Sequence, residues 1–171
     1  MGHVCVLVHA GALFTSARGQ VDACDIEDAI NGILSDIASA EGLVVIDGML
    51  SDAIPRVMNA AIEEKLMEAA AAGKPAYRLW GCDAGEHPFP GWESFGDLPS
   101  PVGDGQEEMA ERVAPHLKGC NDILVTGAWA TSDGSSGCVC SVVDALRLSG
   151  LTGVRLSDSA LLEPDWDDPE P

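Results

Sequence analysis

The residues best placed to do chemistry lie in the second half of the chain. The run Thr126–Cys140 reads TGAWATSDGSSGCVC. An apolar stretch enters a Gly/Ser/Thr loop, and the loop delivers Cys138 to the start of an apolar-periodic segment, Val139–Leu148. A cysteine at a helix start sees unpaired backbone N–H groups and the positive end of the helix dipole. Both favour the thiolate, which is the nucleophilic form. The same N–H groups can hold an oxyanion during acyl transfer. Against this stands the ordinary fate of a cysteine, which is to be a buried and inert thiol. For Cys140, two residues further on, that is the reading adopted.

Asp47 ends a second apolar run, LVVI, and is followed by Gly48. His9 ends the first, VCVLV. Ligands of open parallel sheets bind beyond the carboxyl ends of the strands. Three segments should therefore converge: His9–Gly11, Asp47–Gly48 and Thr126–Cys140. Cys138 and Asp47 are the catalytic candidates. Gly127, Trp129, His9, Trp80 and Ser136 are the substrate-binding candidates. The Ser132–Gly137 loop offers a weak phosphate cradle, without the lysine of a P-loop. His3, Cys5 and His9 alternate along one segment, and Cys82, Asp83 and His87 share a loop. Both groups offer metal ligands, but the packed strand and the plain loop are the readings adopted, and no metal or cofactor is expected.

The elements that position these residues follow from hydrophobic period. Val4–Val8, Leu43–Ile46, Pro75–Trp80, Ile123–Val125 and Val154–Leu156 are short apolar runs that read as buried strands. Between them, Asp25–Ala40, Pro55–Ala72, Gln106–Leu117 and Val139–Leu148 show helical spacing. Gly42, Gly73 and Gly150 read as stops. Strand and helix alternate, so the strands are parallel and the crossovers right-handed. The fold class is α/β: a three-layer α/β/α domain, Rossmann-like, on a mainly parallel sheet of five to six strands. Residues 1–162 read as one domain, residues 82–105 as a long Gly/Pro-rich loop or lid, and residues 163–171 as an acidic tail.

Charge excludes some partners. The chain has 28 Asp and Glu against 9 Lys and Arg, a formal net charge of -19. Such a surface repels nucleic acid and anionic membranes. The acids are dispersed, and the lysines are Lys65, Lys74 and Lys118 alone. This is similar to proteins of extreme halophiles, whereas a DNA mimic would concentrate its acids on one face. The apolar stretch Val4–Phe14 has no basic residue before it and is too short to span a bilayer. The six cysteines form no CxxC pair. A cytoplasmic, reduced setting is expected, with a small-molecule substrate and a homo-oligomeric state.

The run ILVTGAW, GCVCSVVDALRLSG and LTGVRLSDSAL resembles the C-terminal half of isochorismatase-like cysteine hydrolases. The matching features are Gly127, Cys138-Val139, Asp144-Ala145, Gly150 and Asp158-Ser159-Ala160. The run GLVVIDGMLSDAIPRVMNAAIEEKLMEAAAAGKP is similar to the opening of that family. The resemblance implies hydrolysis of a small amide or related metabolite, with Cys138 attacking and Asp47 in the role of the family aspartate. The family also uses a lysine, and none lies between Lys74 and Lys118. A degenerate site on the same fold is thus a second expectation, and a non-catalytic binding module a third. A competing resemblance joins HAGALFTSARG to VVIDGMLSD and is similar to nucleoside 2-deoxyribosyltransferases. It implies that Asp47 and Asp52 hold a sugar and that Glu64 is the nucleophile.

Overall fold

The computed structural model describes residues 2–9, 21–47, 60–80 and 106–162. Five parallel strands form one sheet: β1 (Val4–Val8), β2 (Gly42–Asp47), β3 (Ala76–Trp80), β4 (Ile123–Ala130) and β5 (Val154–Leu156). Their order is β3-β2-β1-β4-β5, and a two-residue strand β6 (Leu161–Leu162) pairs with the end of β4. Four helices connect them: α1 (Ala23–Ser39), α2 (Ala60–Ala71), α3 (Gln106–Val113) and α4 (Cys138–Leu148).

The central strands β1, β2 and β4 are mostly apolar because both faces of the sheet are covered there. Cys5, Leu7, Leu43 and Val45 pack against Ala29, Ile33 and Ile37 of α1 and Ile62, Leu66 and Ala69 of α2. Val6, Val8, Val44, Ile46, Ile123 and Val125 pack with α3 and α4 on the opposite side. Successive residues of a strand point to opposite faces, so β1 feeds both clusters. Each fully buried Ile or Leu contributes about 1.5–3 kcal/mol by leaving water. The three buried positions of α1, at 29, 33 and 37, follow the i, i+4 spacing of one helix face.

The helix ends differ in detail from the sequence reading. α1 stops at Ser39, and Gly42 opens β2 instead of closing the helix. Lys74 completes the stop: its Nζ donates to the carbonyl of Ala38 at 2.9 Å, at the negative end of the helix dipole. α2 is described from Ala60, and the expected start at Pro55 lies outside the described residues. The helix expected over 106–117 breaks into α3 and a 3-10 turn, Ala114–Leu117. Pro115 has no N–H to donate back to Glu111, so the α-helical ladder cannot continue through it.

β4 is longer than its apolar core. The sequence reading ends it at Val125, but it runs on through Gly127 to Ala130. The extra length is stabilised by β6, which pairs with Ala128 and Ala130 across an irregular step. Residues 82–105 and 163–171, read above as a loop or lid and as a tail, lie outside the described residues. Among the described residues, no helix is long and apolar enough to cross a membrane.

Candidate functional site

Chain direction fixes where the carboxyl edge of the sheet opens. β1, β2 and β3 proceed to one side, and the chain then returns to lay β4 on the other side of β1. The order reverses between β1 and β4. A crevice at such a switch point is where open parallel sheets bind their ligands. The residues that flank it are His9, just beyond β1, and Gly127, inside β4.

Val8 is in register with Ile46 on β2 and with Gly127 on β4. The His9 N–H donates to the Ile46 carbonyl at 3.0 Å, which completes the Val8–Ile46 pair at the end of the ladder. His9 follows directly on these last pairs, just past the carboxyl end of β1. Asp47 is itself in register with Trp80. At the carboxyl edge His9 follows β1, Asp47 closes β2 and Trp80 closes β3. Three of the sequence candidates thus stand at the ends of neighbouring strands, and Gly127 is paired with Val8 beside them. Asp47 is one strand further from β4 than His9 is.

His9 is 3% exposed. Its φ of 50° is left-handed, which is unusual for a residue other than glycine. Such a conformation costs on the order of 1–3 kcal/mol, and the surrounding fold must enforce it. Gly127 explains the tightness of the crevice floor. A Cβ on it would overlap the Val8 carbonyl oxygen and lie 2.8 Å from Val8 N and C. Only glycine lets β1 and β4 approach so closely here. The Ala128–Trp129 peptide beside it is cis.

Cys138 is the first residue of α4, and it is half-buried. Gly137 precedes it as the N-cap with φ 97° and offers no side chain to the first turn. A Cβ on Gly137 would lie 2.9 Å from the Trp129 carbonyl carbon. The start of α4 is therefore pressed against the backbone at the end of β4. The Trp129 side chain goes elsewhere. It packs against the α1/α2 cluster, while Cys138 packs against the α3/α4 cluster on the opposite side of the sheet. The structure brings the Trp129 backbone, and not its ring, to the cysteine-bearing helix.

The loop between β4 and α4 is closed on itself. The Thr131 hydroxyl donates to Asp133 Oδ1 at 2.7 Å, and so does the Ser135 hydroxyl, also at 2.7 Å. The Ser135 N–H donates to the same oxygen at 3.0 Å. The Ser136 N–H donates to Thr131 Oγ1 at 3.0 Å, and the Gly134 N–H to the Thr131 carbonyl at 2.9 Å. Bonds from the Ser135 side chain first, then from Thr131 and the Ser135 backbone, hold the Asp133 carboxyl down at about 2. The N–H groups of residues 134–136 are used within the loop, that of Ser135 on the Asp133 carboxylate and the other two on Thr131. This loop is built to orient α4 rather than to cradle a phosphate. Ser136 is exposed, and its backbone belongs to this network.

Burial pushes the Cys140 thiol above its ordinary range. The backbone N–H groups of Thr131 and Ser136 oppose this, and the Asp144 and Asp133 charges add to it. A thiol so placed stays protonated. Cys5 is fully buried, and burial first, then Asp36, raises its thiol far above the usual value. Among the described residues, the one group of three metal-capable side chains is Asp22, Cys24 and Asp25, all exposed. His3, Cys5 and His9 make no such group. Glu64 lies exposed on α2, whose Ile62, Leu66 and Ala69 are the buried residues.

Two features of this edge carried no sequence signal. The Thr126 hydroxyl, level with Leu7 and one residue before Gly127, is fully buried with no hydrogen-bond partner among the described residues. Ser157, just past β5, donates through Oγ to Asp36 Oδ2 at 2.7 Å and so ties the sheet edge to α1. A threonine in an apolar strand and a distant Ser–Asp pair become visible only when the strands are placed side by side. No family model, curated protein or solved structure matches this chain.

Proposed function

We propose that this protein is a cysteine hydrolase of small amides or related metabolites, with Cys138 as nucleophile. The observation that supports it most is the placement of Cys138. The first turn of α4 presents it, half-buried, next to the strand that borders the topological switch point. In the reaction the Cys138 thiolate attacks the substrate carbonyl. The C–N bond breaks, the amine departs with a proton, and water then hydrolyses the thioester to release the acid and the thiol. First-turn N–H groups of α4 stabilise the negative oxygen that develops. The acids spread over the helices, with no Asp or Glu buried among the described residues, support a salt-adapted, cytoplasmic enzyme.

Competitive alkylation with iodoacetamide at neutral pH, read residue by residue by mass spectrometry, tests the reading. Cys138 is expected to outpace Cys24, which is more exposed. Turnover of a panel of small amides should vanish in Cys138→Ala. Labelling of Cys138 no faster than that of Cys24 would refute the proposal.

A further inference from the structure

We propose that Asp133 selects the substrate of this site, and that the amides hydrolysed carry a cationic ammonium or guanidinium group. The inference rests on Cys138 being the nucleophile, and it names the class of substrate which that nucleophile takes.

The loop that leads to Cys138 holds one ionisable side chain, Asp133. Its Oδ1 is fixed by bonds from the Thr131 hydroxyl, the Ser135 hydroxyl and the Ser135 N–H. Among the described residues no hydrogen bond ends on Oδ2, and the residue is exposed. One oxygen sets the carboxylate, and the other is left to solvent. An acceptor held in this way binds a cation with little further ordering.

The carboxylate is also close to the cysteine-bearing turn. The Thr131 N–H donates to the Ser136 carbonyl at 3.1 Å, which closes the loop, and α4 starts at Cys138. Burial raises the Cys140 thiol first, and the charges of Asp144 and Asp133 add to it, so the field of Asp133 reaches the first turn of α4. The hydrogen bonds that fix Oδ1 also keep this carboxyl ionised at any pH where a thiolate exists.

No described cation offsets it. Lys65 pairs with Glu68 on α2, and Lys74 reaches the Ala38 carbonyl. Arg147 binds the Val154 carbonyl and Arg155 binds Asp122, both at the amino end of the sheet. Arg112 lies in the last turn of α3, and Lys118 precedes the amino end of β4. Asp144 has Arg147 at 3.7 Å, whereas Asp133 has no ion pair among the described residues. The sequence has the same sign: residues 10–20, 48–59 and 81–105, which follow β1, β2 and β3, hold six acids against Arg18 and Arg56. An anionic substrate would meet an unpaired carboxylate beside the cysteine, and a cationic one is drawn to it.

The test uses the full chain and two methanethiosulfonate reagents of similar size, one bearing a trimethylammonium group and one a sulfonate. Labelling of Cys138 is timed by mass spectrometry at neutral pH in about 0.1 M potassium chloride. The cation-to-anion rate ratio is divided by that of free N-acetylcysteine. In the wild type the quotient should be about ten or more, and about 1 M salt should bring it towards one. Asp133→Asn keeps Oδ1 as an acceptor and removes the charge, and the quotient should fall about five-fold. Asp144→Asn removes a charge that Arg147 already offsets, and should change it by less than about two-fold. With amides as substrates, Asp133→Asn should narrow the gap in kcat/KM between cationic and neutral ones by about five-fold. A wild-type quotient of one, a quotient unmoved in Asp133→Asn, or an equal fall in Asp144→Asn overturns the role of Asp133 and spares Cys138 as nucleophile. Labelling of Cys138 by neutral iodoacetamide no faster than that of Cys24 overturns both.

Discussion

Gly127→Ala should be the most damaging small substitution in the sheet, and its cost can be worked from two independent features. First, φ is +124° at Gly127, outside what an alanine adopts readily. That strain alone is worth about 1–3 kcal/mol. Second, the added methyl would overlap the Val8 carbonyl oxygen and lie 2.8 Å from Val8 N and C. These are backbone atoms of the central strand, so no rotamer change relieves the contact. Overpacking of this kind costs a further 1–3 kcal/mol or more, at about the upper end where backbone must move. The sum is about 4 kcal/mol, or about 10 °C in Tm for a domain of this size. Gly73→Ala is the control. Its φ is +80°, yet nothing lies within 4 Å of the new methyl, so it carries the strain without the overlap. Thermal unfolding followed by circular dichroism compares the two. Gly127→Ala should melt well below Gly73→Ala. Equal melting temperatures would mean that β1 and β4 do not approach as closely as described, and the crevice floor would have to be redrawn.

The Asp133 carboxyl should titrate with a midpoint of about 2, below its ordinary value of 3.8. A depressed carboxyl stabilises the folded state above its unfolded pKa, and that contribution disappears as the pH falls through about 2. Carboxyl carbon NMR should show the low midpoint, and Ser135→Ala should move it upward; a midpoint near 3.8 in the wild type would contradict the hydrogen-bonded loop. Cys5 should resist thiol reagents until the chain unfolds, because burial first and Asp36 second raise its thiol. Exposed Cys24 should react at once under native conditions. Prompt labelling of Cys5 without denaturant would place β1 at a surface and refute its central position.

The fold was legible wherever burial on both faces made a strand continuously apolar. VCVLV and LVVI need no alternation, since helices cover both sides of the sheet. The helix faces were legible for the same reason, through Ala29, Ile33 and Ile37 in α1. What escaped depends on partners distant in sequence. β6 is two leucines with no period of its own, and it exists as a strand because Ala128 and Ala130 offer it an edge. The continuation of β4 past Val125 depends on the same pairing. Gly32 is another case: a Cβ there would lie 2.6 Å from Ser159 Cβ, so the mid-helix glycine answers a contact made 127 positions away.

The site divides along the same line. Cys138 could be singled out locally, because strand, Gly-rich loop and helix start are consecutive in the chain. Its neighbours could be named but not placed. The sequence reading gave the acidic role to Asp47, since an aspartate closing an apolar run stands out. The sheet puts β1 at its centre, between β2 and β4. That one placement separates Asp47 from β4 by a whole strand and brings His9 to the border of the crevice. The sequence reading named His9 as a binding candidate because it closes an apolar run, but could not say which strands it would lie between. It gains its place when register aligns Val8 with both Ile46 and Gly127, which puts the residue after Val8 at the border of the crevice.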